Sequence, residues 1–180
     1  MSDIRIAAAR EEDVPVVLEL IKALAEYEKL TDQAIATEQD IHRALFGPRP
    51  MAEVVLAFAD REPVGFALFF QNFSTFLGRP GVYLEDLFVV PEWRRRGVGR
   101  RLLVHLARIA VERQCGRMEW SVLDWNRPAI AFYERLGASV LHDWRVCRLT
   151  GDSLARLAST DSLPATGSGG PSGPPSQAHR

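Results

Sequence analysis

Apolar residues in the first fifty positions follow a strand period and then a helix period. Ile4 and Ile6 alternate with polar neighbours, which is typical of a short, half-buried strand. Thr37 is the expected N-cap of a second, shorter helix that ends before Gly47. Between these segments, apolar residues recur every three or four positions and predict a longer amphipathic helix, with Pro15 tolerated in its first turn; they are Val14, Val17, Leu18, Ile21 and Leu24.

The middle of the chain changes to a β pattern. Three runs rich in β-branched and aromatic residues extend from Val54 to Ala59, from Val64 to Phe73 and from Val82 to Val90. The turn-forming segments D-R-E-P and L-G-R-P-G separate them. This pattern predicts three consecutive antiparallel strands.

The second half of the chain alternates helices and strands. Apolar residues at helical spacing predict a helix from Leu102 to Ala110, and a strand is expected from Met118 to Leu123. A further helix is expected from about Pro128 to Leu136, with Gly137 as its C-terminal stop, and a last strand from Val140 to Leu149. The order βααβββαβαβ predicts an α/β (α+β) fold in which a mixed central β-sheet carries helices on both faces.

Composition limits the class of protein. The 180 residues are 47% hydrophobic and 25% charged, which suits one domain with a sizeable core, expected over residues 1–158. Residues 159–180 are rich in Pro, Gly and Ser and are expected to form a disordered tail. Because the formal net charge is only -1, neither nucleic acid nor a membrane surface is expected as a partner.

The N-terminal segment, the apolar runs and the cysteines predict the cellular location, and the histidines bear on metal binding. The segment from Met1 to Arg5 lacks the apolar core of a secretory signal, and no run approaches the roughly 20 apolar residues that span a bilayer. We therefore expect a cytoplasmic protein with Cys115 and Cys147 as free thiols. No metal is expected, because the histidines lack metal-ligand spacing; they are His42, His105, His142 and His179.

A glycine-spaced turn follows the third of the three strands. Between Val89 and Gly99 the sequence reads V-V-P-E-W-R-R-R-G-V-G and opens onto the next helical pattern. Glycine lets backbone N–H groups approach an anion closely, and the helix that follows contributes the positive end of its dipole. The turn is therefore a candidate cradle for the diphosphate of a nucleotide or coenzyme. An ordinary strand-to-helix turn with a solvated arginine face is the alternative.

Two motifs together resemble the GCN5-related N-acetyltransferase (GNAT) superfamily. Arg94, Gly97 and Gly99 match its Arg/Gln-x-x-Gly-x-Gly/Ala signature, and N-R-P-A-I-A-F-Y-E-R-L-G-A follows the next predicted strand. The resemblance covers Ile4 to Leu149 and implies that acetyl-CoA binds through its diphosphate at the turn and through its pantetheine at the preceding strand. The coenzyme-binding residues that it implies are Leu87, Phe88, Val89, Arg94, Arg95, Arg96, Gly97, Val98, Gly99, Arg100, Asn126, Pro128 and Ala129.

Four segments are similar to the diamine acetyltransferases, the spermidine/spermine and thialysine branch: I-K-A-L-A-E-Y-E-K-L, Y-L-E-D-L-F-V, L-D-W-N and F-Y-E-R-L-G-A. The resemblance implies that Tyr133 is the general acid and that Glu85 assists deprotonation of the amine, directly or through water. It also implies a homodimer whose interface borders the acceptor site. The residues implied to line that site, besides Glu85, are Tyr27, Glu28 and Asp143.

These residue types suit acetyl transfer to an alkylamine. Such an amine has a pKa near 10.4, so it arrives protonated and must lose a proton before it attacks a thioester. Glu85 can bind the ammonium group and accept that proton, and Tyr133 can protonate the departing thiolate. Transfer by direct attack therefore needs no covalent enzyme intermediate. The expected acceptor is a small primary amine: a polyamine, a diamine or a thialysine-like amino acid.

Other interpretations stay open on the sequence alone. Tyr133 could be a half-buried helix residue beside Phe132, and Glu28 could simply solvate the end of the first helix. Glu85 and Asp86 occupy adjacent strand positions and face opposite sides, so they cannot both enter one pocket. The alternative functions are acetylation of a protein lysine or N-terminus, and binding of CoA without catalysis.

Overall fold

The computed structural model describes residues 3–160. The predicted tail therefore lies outside the described residues from position 161 onward. Within the described range, the strands and α-helices are β1 (Ile4–Ala8), α1 (Val14–Glu28), α2 (Glu38–Phe46), β2 (Glu53–Ala59), β3 (Glu62–Ser74), β4 (Arg79–Val89), α3 (Val98–Glu112), β5 (Met118–Trp120), α4 (Arg127–Arg135) and α5 (Gly151–Ala158).

The strands form one sheet in sequence order, β1-β2-β3-β4-β5. The first four pair antiparallel, as expected for strands joined by short turns. β5 pairs parallel to β4, which requires the crossover that α3 provides. The mixed sheet predicted from the order of elements is confirmed.

Side-chain alternation along the strands divides the core between two faces. Val54 and Leu56 of β2 belong to a hydrophobic cluster with α1 and α2. Val55 and Ala57 are equally buried but point the other way, toward the face over which α3 packs. The prediction that helices cover both faces is confirmed.

β4 contains one extra residue, Glu85. In the register of β4 with β3, Asp86 pairs with Leu68 and Leu84 pairs with Phe69, so Glu85 has no partner residue in β3. Such a β-bulge changes the phase of side-chain alternation. Asp86 therefore shares a face with Leu68, which packs against the α1–α2 cluster, whereas Leu84 is buried with Phe69 on the α3 face.

The predicted last strand, from Val140 to Leu149, is wrong. Residues 141–150 are exposed and irregular. A strand needs a neighbour for its backbone N–H and C=O groups, and within residues 3–160 no strand pairs with this segment. β5 also ends at Trp120, three residues before the predicted strand end at Leu123.

Helix α5 was not predicted from the sequence. It begins after Thr150, whose backbone is extended, and carries Asp152 in its first turn and Arg156 in its last. Both charges suit the helix dipole. These two end charges are the local sequence signal for this helix.

The described chain divides into two compact units, residues 3–127 and 128–160. The first contains the sheet with α1, α2 and α3, and the second contains α5 and all but the first residue of α4. The single domain predicted over residues 1–158 spans both units and stays a prediction. Across positions 3–160, no helix is both long and apolar enough to cross a membrane.

The core of the sheet provides a stability test. Leu56 has 0% of its side chain exposed, so Leu56→Ala removes buried methyl groups and leaves a cavity. We expect it to lower the free energy of unfolding by about 2–5 kcal/mol in urea denaturation. Val111→Ala is the control, because that α3 side chain is 77% exposed. A similar loss in both variants would contradict the assigned core.

Candidate active site

The outer edge of β4 is unpaired over its second half. β5 pairs with β4 only at Val82, Tyr83 and Leu84. Beyond the bulge, residues 85–89 have no strand partner on that side among the described residues. An open sheet edge presents N–H and C=O groups that an extended ligand can use. The predicted pantetheine contacts, Leu87, Phe88 and Val89, all lie on this stretch.

The turn after β4 is shaped for an anion. Gly97 has φ +82° and is the N-cap of α3, with no side-chain cap on the first helical turn. The N–H groups of that turn therefore stay available for a ligand, as the predicted cradle requires. Val98 is buried, so it has only its backbone to offer. Arg95 also has a positive φ, 61°, which is a strained conformation for a residue with a side chain.

An arginine-rich groove of about 620 Å³ borders this turn. The turn, one side of α3 and β1, which is the sheet edge opposite β5, line it through Ile4, Ile6, Arg96, Gly97, Arg100, Arg101, Val104, His105 and Arg108. Arg101 donates there to the carbonyl oxygen of Ile4 at 2.8 Å. Arginine guanidinium groups suit phosphate oxygens in charge and geometry. The backbone cradle therefore fits a diphosphate, and the groove on the β1 side of α3 fits a further anionic group. Arg95 is exposed beside the groove but does not line it.

Arg94 behaves differently from its neighbours. Its Nε donates a hydrogen bond of 2.9 Å to the carbonyl oxygen of Val89. Its guanidinium carbon lies 4.4 Å from the ring centroid of Tyr27 and 5.4 Å from that of Phe88. Arg94 is half-buried.

Tyr27 connects three segments of the first unit. Its ring contacts Arg94, its hydroxyl donates to Oδ1 of the buried Asn126 at 3.3 Å, and its centroid is 5.9 Å from that of Trp125. A residue predicted for the acceptor site thus meets two residues predicted for the coenzyme site. Glu28, the next residue, is half-buried, and its burial raises the pKa of its carboxyl group.

The two carboxylates of the β4 segment occupy different environments. Glu85 is exposed at the bulge. Asp86 is half-buried on the α1 face, and its burial, followed by the negative charges of Glu85 and Glu28, raises its pKa to about 6. Within residues 3–160, Asp86 makes no ion pair with an arginine, lysine or histidine. A carboxylate of this kind exchanges protons close to neutral pH.

The remaining predicted residues lie in the unit of residues 128–160. Pro128 and Ala129 are in the first turn of α4. Tyr133 is half-buried on the same helix, with its ring centroid 5.3 Å from that of Phe132. Asp143 is exposed in the irregular segment between α4 and α5.

Sequence reasoning missed two features of this site. For Asp86 the sequence predicts only that it faces away from Glu85, because the bulge that sets its face has no local sequence signal. For Trp125, in the L-D-W-N motif, the sequence predicts no role, and its ring contact with Tyr27 joins residues far apart in the chain. Among the described residues, no group of three acidic, histidine or cysteine side chains is arranged to hold a metal ion.

The chain is similar to several known proteins over most of its length. The model of the acetyltransferase (GNAT) family matches residues 17–138. Thialysine N-epsilon-acetyltransferase of Bos taurus is 36% identical over 88% of this chain and 99% of its own length. L-ornithine N5-acetyltransferase of Arabidopsis thaliana is 35% identical over 85% of this chain and 87% of its own length. An integron cassette protein of V. cholerae has a similar structure, with TM-score 0.75 and 29% identity over 89% of this chain and 99% of that one.

The raised pKa of Asp86 predicts a pH-dependent stability effect. A carboxyl group whose pKa rises from 3.8 to about 6 on folding destabilises the folded state as the pH increases through that window. Asp86→Asn should therefore raise the free energy of unfolding by about 2–3 kcal/mol at pH 8. The gain should disappear below pH 4, as measured by urea denaturation across pH.

Glu62→Gln is the matched control, because this carboxylate is exposed at the start of β3. It should change the free energy of unfolding by less than about 0.5 kcal/mol at either pH. An Asp86→Asn variant that is no more stable than the parent at pH 8 would contradict the assigned environment of Asp86.

Proposed function

This chain belongs to the acetyltransferase (GNAT) family, and from that premise we propose that it transfers the acetyl group of acetyl-CoA to a primary amine of a small molecule. The similarity to named N-acetyltransferases makes it an acyltransferase, and the named acceptors of those relatives support a small amine. The proposed acceptor is a polyamine, a diamine or a thialysine-like amino acid.

The observation that carries the proposal is the open edge of β4 leading into the uncapped N-terminus of α3 and its arginine groove. The edge offers hydrogen-bonding backbone groups for the pantetheine chain, and the turn and groove offer donors for the phosphates. In the proposed site, residues 87–89 bind the pantetheine of the donor and residues 95–100 bind its diphosphate. Bound acetyl-CoA supplies a thioester whose carbonyl carbon is open to attack.

In the reaction that we propose, two side chains accept and donate the protons. The amine arrives as an ammonium ion, and one of its protons leaves to Glu85, directly or through water. A C–N bond then forms as the C–S bond breaks, and Tyr133 gives its hydroxyl proton to the departing thiolate. The second proton of the amine nitrogen restores the Tyr133 hydroxyl. The net products are the amide, CoA and one proton released to solvent.

Thiol release from acetyl-CoA tests this proposal. The purified chain is assayed with spermidine, spermine, short diamines, lysine, ornithine and thialysine, and with lysine-containing peptides. We expect turnover confined to one class of small amine. Turnover on peptides alone would replace the proposal with protein acetylation, and CoA binding without turnover on any acceptor would replace it with a non-catalytic module.

Removal of the proposed acid should affect the chemical step. Tyr133→Phe should lower kcat at least tenfold, since positioned general acids contribute about 100- to 10,000-fold. The affinity for CoA, measured by calorimetry, should stay within twofold. Tyr83→Phe is the matched control, because it removes a hydroxyl that bonds to Ser121 on an exposed part of the sheet. An unchanged kcat in Tyr133→Phe would contradict the assignment.

We also propose that the chain forms a homodimer. Large apolar side chains are exposed in the region after α4, and such surface often marks a protein interface; they are Leu141, Trp144, Val146, Leu149, Leu154 and Leu157. Light scattering should give about twice the mass of one chain, which is 20.1 kDa. A solution mass equal to that of one chain would contradict the dimer.

A further inference from the structure

We infer that Arg94 is a positioning residue for the acceptor side of the site and not a ligand of the donor diphosphate. It stands at the first position of the arginine-glycine signature. Its neighbours Arg96 and Arg100 line the arginine-rich groove. Its own side chain is held by Tyr27, Phe88 and Val89. The inference rests on the acceptor-lining role proposed for Tyr27.

One hydrogen bond and two aromatic rings hold the guanidinium group of Arg94 in place. The Tyr27 ring lies 4.4 Å from the guanidinium carbon and the Phe88 ring lies 5.4 Å from it, both within the range of a cation–π contact. The Nε hydrogen is committed to the Val89 carbonyl oxygen at 2.9 Å. These contacts commit one of the five N–H donors of Arg94, and, unlike Arg96 and Arg100, Arg94 does not line the groove.

Tyr27 is in turn held at both ends. Arg94 contacts its ring, and its hydroxyl donates to the buried amide oxygen of Asn126 at 3.3 Å. The ring therefore has a fixed position at the C-terminal end of α1, directly before Glu28. Arg94 belongs to the turn after β4, which is proposed to bind the donor. This turn therefore also holds the ring of Tyr27, which is proposed to contact the acceptor. Loss of Arg94 should therefore displace that ring.

Arginine has two properties here that lysine does not combine. Its planar guanidinium group can stack on an aromatic ring while Nε donates to a carbonyl oxygen in the same plane. A lysine ammonium group has no planar surface that can stack on the ring, and a single nitrogen must serve both contacts. Arg94→Lys should therefore retain part of the function, and Arg94→Gln should retain less.

The test separates acceptor effects from donor effects. The KM for the preferred amine is measured at saturating acetyl-CoA, and the Kd for CoA is measured by calorimetry without an acceptor. We expect Arg94→Gln to raise the amine KM five- to tenfold, with kcat and the Kd for CoA within twofold of the parent. Arg94→Lys should give an intermediate KM. Arg100→Gln is the matched comparison and should raise the Kd for CoA with little change in the amine KM.

A double-substitution cycle tests the contact itself. Tyr27→Leu should raise the amine KM by a similar factor, and adding Arg94→Gln to it should cause little further increase. A tenfold rise in the Kd for CoA in Arg94→Gln, or an unchanged amine KM, would overturn the inference. If the parent chain acetylates no amine, the proposed function fails instead, and the Kd comparison of Arg94→Gln with Arg100→Gln still decides whether Arg94 binds the donor.

Discussion

β4 and β5 stop pairing after Leu84, and the rest of the site depends on this. A parallel pair would normally satisfy the backbone along its whole length, but here pairing stops where the bulge inserts Glu85. The bulge places Asp86 on the α1 face, and the lost pairing leaves residues 85–89 with an open edge. One local irregularity thus creates both a surface for an extended ligand and a distinct setting for two adjacent carboxylates.

Several features around this point weaken the fold locally and are concentrated in the site. Asp86 carries a carboxyl group whose ionisation opposes folding above pH 6, and Arg95 has a left-handed backbone. The first turn of α3 has no side-chain cap. Each would be disfavoured in a region selected for stability alone. Their grouping at the end of β4 is consistent with a segment adapted to bind an anionic donor and a cationic acceptor.

The sequence predicted the order of elements from β1 to α4, because apolar periodicity and turn residues are local signals. It also predicted the glycine turn. The strand from Val140 to Leu149 failed because pairing depends on a distant neighbour, and helix α5 was overlooked. The bulge at Glu85 has no local signature, so neither the environment of Asp86 nor its pKa could be predicted. The contact of Arg94 with Tyr27 joins residues far apart in the chain, which motif matching treats as separate sites.

In the proposed function, the open β4 edge and the α3 N-terminus together bind the donor. Titration of the isotope-labelled chain with CoA, followed by amide-resolved NMR, tests this most directly because it reports on the backbone groups themselves. If this edge and this turn hold CoA, the largest shifts fall on residues 85–89 and 97–100, with saturation at a common Kd. Saturable binding with its largest shifts outside these two segments would contradict it.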